Sequence, residues 1–148
     1  ADDNAEYGNT ICCHSYREEE TEFLEQVIKS AEYLDKNKFC RAVIVHNPFI
    51  WKDKKPFDIE NDIYNKWTQL LCGDISPDII ISGHMHKISI GNPKDDRDYR
   101  GQPCPIAVLS ELEYEKYFAG AGIEFNRNGK INITVTDSNG KIRDTYII

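Results

Sequence analysis

No stretch of the sequence approaches the roughly 18 apolar residues of a membrane-spanning helix, and no signal-type start is visible. Lys and Arg are outnumbered, 18 against 25 acidic residues for a net charge of −7, and nowhere gather into a basic face. The electrostatic footprint of a nucleic-acid binder is therefore missing. A phosphorylated substrate is not excluded by that charge, because bound divalent ions would invert the local field. The five cysteines, Cys12, Cys13, Cys40, Cys72 and Cys104, contain no Cys-x-x-Cys pair and are odd in number. Cys40 and Cys72 read as small buried hydrophobes, and a reduced set leans towards a reducing compartment such as the cytoplasm. Long internal repeats and low-complexity tracts are absent as well. Methionine is almost absent: Met85 is the only one, so Ala1 is not an unprocessed initiator.

What is present is one domain's worth of chain, residues 1–148 at 40% hydrophobic, enough to bury a core. Its most telling stretch is Asp78-Ile79-Ile80-Ile81-Ser82-Gly83-His84-Met85-His86. A short β-branched run predicts a buried strand that delivers two histidines into a loop, with Gly83 expected to give the tight turn. A single ion on a regular strand would use this spacing awkwardly. A pair of ions about 3.5–4 Å apart lets each imidazole reach a different ion. A second apolar run, Arg41-Ala42-Val43-Ile44-Val45, ends in His46-Asn47-Pro48, and Pro48 takes the backbone out of any continuing central strand. In open α/β sheets, sites gather at the carboxyl ends of strands, so His46, His84 and His86 are expected to converge.

The remaining elements follow from periodicity. Residues 1–10 read as a loose polar arm. Phe23, Leu24, Val27, Ile28, Ala31 and Leu34 recur at helical spacing, predicting an amphipathic helix over 18–35 that starts at Glu18-Glu19-Glu20 and ends near Lys36 and Lys38. A strand over 40–45 follows, then a loop in which Phe49, Ile50, Trp51 and Phe57 alternate with Lys52, Asp53, Lys54 and Lys55. Trp51 and Asn47 are candidates to contact substrate, or the aromatics pack down as an anchor. Ile59, Ile63, Trp67, Leu70 and Leu71 predict a second helix from Asp58 or Asn61 to Leu71, with Gly73 as its C-cap. Strand, helix and strand make a βαβ crossover with parallel strands. Beyond the histidines, 87–90 reads as extended, 91–101 as a polar loop and 105–110 as a strand. Strands over 117–126, 130–136 and 141–148 are joined by Asn128-Gly129 and Asn139-Gly140, so an antiparallel meander closes the chain. The fold class is thus α/β, of the mixed α+β kind.

The elements Val45-His46-Asn47-Pro48 and Ser82-Gly83-His84-Met85-His86 resemble, in residue type, order and separation, the carboxyl half of the calcineurin-like metallophosphoesterases. The resemblance covers roughly residues 7–109. It implies half of an αββα sandwich and hydrolysis of phosphate mono- or diesters at a dinuclear metal site. His46 and His84 would hold one ion and His86 the other, the ions being Mn, Fe or Zn, two per complete site. The family's upstream Asp-x-His, Gly-Asp and Gly-Asn-His elements have no counterpart here: Tyr7-Gly8-Asn9-Thr10 lacks the histidine, and His14 sits in Cys13-His14-Ser15, which fits none of them. The resemblance therefore implies a carboxyl-terminal part of a longer phosphoesterase. It would be inactive alone, its bridging aspartate and transition-state histidine supplied by the missing amino-terminal half.

Two other classes compete. One is a non-catalytic binding or structural module, the favoured reading if the natural protein begins near Ala1. The other is a mononuclear zinc hydrolase on His46, His84 and His86 with an open water position. That third reading needs Asp53 or Asp58 as general base.

Overall fold

The computed structural model describes residues 11–46, 48, 66, 67, 69–71, 76–93, 104–109, 111–113 and 117–148. The described residues are mixed α/β, with helices α1 and α2 ahead of two four-stranded sheets. Helix α1 spans Ile11–Ile28 and α2 spans Ala31–Leu34. The first sheet contains β1 (Ala42–Val45), β2 (Ile79–Ser82), β3 (Ser89–Gly91) and β4 (Ile106–Val108), in the order β1-β2-β4-β3. Strands β1, β2 and β4 are parallel and β3 is antiparallel to β4. The second sheet is a fully antiparallel run of β5 (Glu111–Glu113), β6 (Tyr117–Phe125), β7 (Ile131–Asp137) and β8 (Ile142–Ile147).

Strand β2 is covered on both faces, as expected of an unbroken isoleucine run in a parallel sheet: Ile79 and Ile80 are wholly buried. Ile80, Ile106 and Val108 meet Trp67, Leu71, Leu24 and Ile28 on the helical side. Ile79, Ile90 and Ala107 meet Ile131 and Ile133 of the second sheet on the other. The order of layers is therefore helix, sheet, sheet, with the two histidine-bearing strands in the middle layer. No helix among the described residues is long and apolar enough to cross a membrane.

The first helix departs from the sequence expectation. It begins at Ile11 rather than Glu18, so no acid lies in its first turn and Glu18-Glu19-Glu20 fall mid-helix. It ends at Ile28 with no basic residue in its last turn, so Lys36 and Lys38 do not close it. The physical cause lies in its inner face. Arg17 and Thr21 are buried there with Leu24 and Ile28 behind them, whereas Phe23, counted in the apolar stripe, is exposed. Thr21 Oγ1 donates to the Arg17 carbonyl at 2.7 Å and accepts from Trp67 Nε1 at 2.9 Å. A polar residue bonded in this way is readily buried, although its type suggests a surface position. The break after Ile28 is made by Ser30, which donates to the Val27 carbonyl and accepts from the Tyr33 amide, ending one helix and capping the next.

Of the second expected helix, residues 66, 67 and 69–71 are described and helical; Trp67 and Leu71 are buried and Leu70 half-buried, in keeping with its expected face. Its start, Gly73 and the 1–10 arm lie outside the described residues. The expected βαβ relation holds in its strands, since β1 and β2 are adjacent and parallel. Both hairpins form at Asn128-Gly129 and Asn139-Gly140. The glycines have φ of +82° and +79°, while each asparagine keeps negative φ, so each loop is a three-residue turn with left-handed glycine and not a two-residue turn. Neither Cys40 nor Cys104 forms a disulfide; Cys40, expected buried, is only half-buried, Cys104 is buried, and Cys72 lies outside the described residues.

Candidate functional site

Strand β1 is held at its start by Arg41 and Asp78. The Asp78 carboxylate accepts from the Arg41 amide at 2.7 Å, and the Asp78 amide returns a bond to the Arg41 carbonyl at 2.8 Å. The Arg41 guanidinium donates to the carbonyls of Tyr33 and Asp35 and lies 5.6 Å from the centre of the Tyr33 ring, tying α2 to the sheet. From this anchored start the parallel register runs Ala42 with Ile79 through to Val45 with Ser82. Both strands therefore finish level, and the Gly83 amide donates to the His46 carbonyl at 3.0 Å just past their ends.

This register brings two histidines together. His84 Nδ1 lies 3.0 Å from His46 Nε2, with ring centres 4.9 Å apart and planes at 75°. One of the two nitrogens must carry a proton and the other offer its lone pair. His46 is exposed and His84 half-buried, so the pair faces solvent. An open groove lined by Ile44, Ile81, Leu109 and Ala121 runs up to His46.

The turn that aims His84 is unusual. The Met85 amide donates to the Gly83 carbonyl at 2.7 Å across a single residue, and that residue, His84, has a φ of +63°. This is the rarer, strained hand of γ-turn. His86 follows with a φ of +51°. Gly83 itself has no left-handed backbone: the positive-φ glycines among the described residues are Gly129 and Gly140. The expectation that Gly83 supplies the tight turn is thus overturned, because the left-handed conformations fall on the histidines. Left-handed backbone at non-glycine residues costs of order 1–3 kcal/mol each and persists only where surrounding structure holds it.

His86 is exposed, and among the described residues no group of three or more His, Cys, Asp or Glu is placed to hold an ion. Two imidazole nitrogens each about 2.0–2.1 Å from one ion can stand as close as the 3.0 Å found between His46 and His84. The pair therefore fits two ligand positions of one ion and leaves the others to groups outside it. Asn47, Trp51, Asp53 and Asp58 lie outside the described residues, and His14 is exposed on α1.

Sequence reasoning missed Met85. No role is assigned to it from the motif, yet its side chain packs against the cluster of Trp67, Leu71, Ile80 and Val108. An apolar residue flanked by two polar ligand types was the available signal. Comparison with protein-family models, with curated proteins and with solved structures finds no match to this chain.

Proposed function

We propose that this chain carries part of a metal-dependent phosphoesterase site, with His46 and His84 as ligands of one divalent ion and His86 directed to a second. The single observation that carries this reading is the 3.0 Å approach of His84 Nδ1 to His46 Nε2 at the carboxyl ends of two adjacent parallel strands. Two solvent-facing imidazoles in contact, one of them on a turn with left-handed backbone, are a costly arrangement for a merely structural loop.

Divalent ions, Mn, Fe or Zn, would supply Lewis-acid charge to phosphate oxygens and activate water for attack. The chain's own contribution is to hold two neutral imidazoles at fixed separation. The ring that donates within the pair must first move its proton to its other nitrogen or release it, so that both lone pairs are available. Three histidines without a carboxylate make an incomplete dinuclear site, and hydrolysis would need ligands from a further segment. Such a segment would have the outer edge of β1 to pair with. No strand pairs with its outer edge among the described residues, and Ile44, in register with half-buried Ile81, is 81% exposed. The helix, sheet, sheet layering is in keeping with half of a metallophosphoesterase-type sandwich.

The test is substitution in the full-length protein. His46→Ala and His84→Ala should each lose bound metal and phosphoesterase turnover together. Full activity in either variant would remove that residue from the site.

A further inference from the structure

We propose that Met85 is the positioning residue of the histidine pair, acting through the backbone of His84. It rests on the metal-site reading only for its affinity readout; the geometric part stands without it.

The turn Gly83-His84-Met85-His86 contains two non-glycine residues with positive φ, so its local backbone preference opposes the conformation it adopts. Something outside the turn has to hold it. On one side the hold is the Gly83 amide on the His46 carbonyl, 3.0 Å. That bond fixes the backbone before His84 but leaves the rotation at His84 undetermined. On the other side, the only side chain of the turn that packs against the core cluster containing Trp67, Leu71, Ile80 and Val108 is Met85. His86 is exposed, and His84 is engaged with His46. With both Gly83 and Met85 held, the backbone between them has little freedom, and the γ-turn bond from the Met85 amide to the Gly83 carbonyl closes across His84. The imidazole is then aimed at His46. An unbranched, flexible side chain suits this task, because it can reach the cluster from a turn whose own geometry is irregular.

The experiment uses the metal-free chain and reads the ring-to-ring nuclear Overhauser effect between His46 and His84, then Zn²⁺ affinity by calorimetry. Met85→Ala should lose the ring contact and weaken Zn²⁺ binding about 10- to 100-fold, the range found when groups that orient metal ligands are removed. Met85→Leu, which keeps most of the apolar volume, should restore both. Ile133→Val, in the inter-sheet core, should lower stability and keep the ring contact, which separates positioning from general loosening. If Met85→Ala does not fold, the milder Met85→Val carries the same test by weakening the ring contact. An unchanged contact in Met85→Ala or Met85→Val, or its absence in the unsubstituted chain, overturns the proposal. An unsubstituted chain that shows the contact and takes up no Zn²⁺ contradicts the metal reading instead, and the loss of contact in Met85→Ala still supports the positioning role.

Discussion

Replacing Gly83 by alanine should leave the site intact and make the chain more stable. A methyl group built at Gly83 meets nothing nearer than the Leu109 carbonyl oxygen at 3.9 Å, an ordinary van der Waals contact. The Gly83 backbone is not in the left-handed region, so alanine adopts it without strain. What remains is the effect on the unfolded chain, which loses freedom when glycine becomes alanine, and this is worth about 0.4–1 kcal/mol of stability. Gly140 is the internal contrast. Its φ is +79°, and alanine there should cost about 1–2 kcal/mol from the left-handed backbone. Urea unfolding reads both, and the slope should stay unchanged, since it follows the surface exposed on unfolding, which neither substitution alters. A loss of more than about 1 kcal/mol in Gly83→Ala, on the same scale as Gly140→Ala, would refute the reasoning. It would mean that Gly83 makes the turn and the histidines do not.

Further expectations concern the core, the thiol and the catalytic state. Ile133→Ala should cost about 2–5 kcal/mol, because Ile133 is fully buried between the two sheets; a loss under about 1 kcal/mol would mean the sheets do not pack together as described. Burial, with the Asp78 carboxylate beside it and Arg41 opposing, pushes the Cys40 thiol up to about 11. The folded chain then keeps a proton that the unfolded chain loses near pH 8.5. Stability is full below that pH and falls as pH rises towards 11. Cys40→Ala should flatten this part of the urea-midpoint profile, and an identical profile would contradict it. The chain alone should not turn over a chromogenic phosphodiester with Mn²⁺; sustained turnover abolished by His84→Ala would sink the part-site account. His14→Ala should leave metal affinity unchanged, because His14 is exposed on α1 and belongs to no group of potential ligands among the described residues.

The sheet core and the meeting of His46 with His84 were legible because they rest on short-range signals. Ile79 to Ile81 and Ala42 to Val45 are apolar runs ended by histidine, and parallel pairing in register carries the rest. The hairpins were legible from Asn-Gly. Three things were not. The start of α1 was hidden because its inner face uses Arg17 and Thr21, polar types, and Thr21 is satisfied there by a hydrogen bond from Trp67, far away in sequence. The insertion of β4 between β2 and β3 rests on a non-local pairing that no local period encodes, and β5, three residues long, is too short to show a period of its own. The left-handed backbone at His84 and His86 ran against the local rule that glycine takes such positions, and it is held by packing of Met85. A local rule that fails beside paired histidines marks a candidate site, since strain is retained where the surroundings over-determine it.

The most direct test of the central claim is a calorimetric titration of the chain with Zn²⁺ and Mn²⁺, beside the His46→Ala/His84→Ala double variant. The account predicts weak binding of about one ion per chain, as two ligands short of a full set allow, and its loss in the double variant. Binding undiminished in that variant, or none in the unsubstituted chain, would contradict a metal site on His46 and His84.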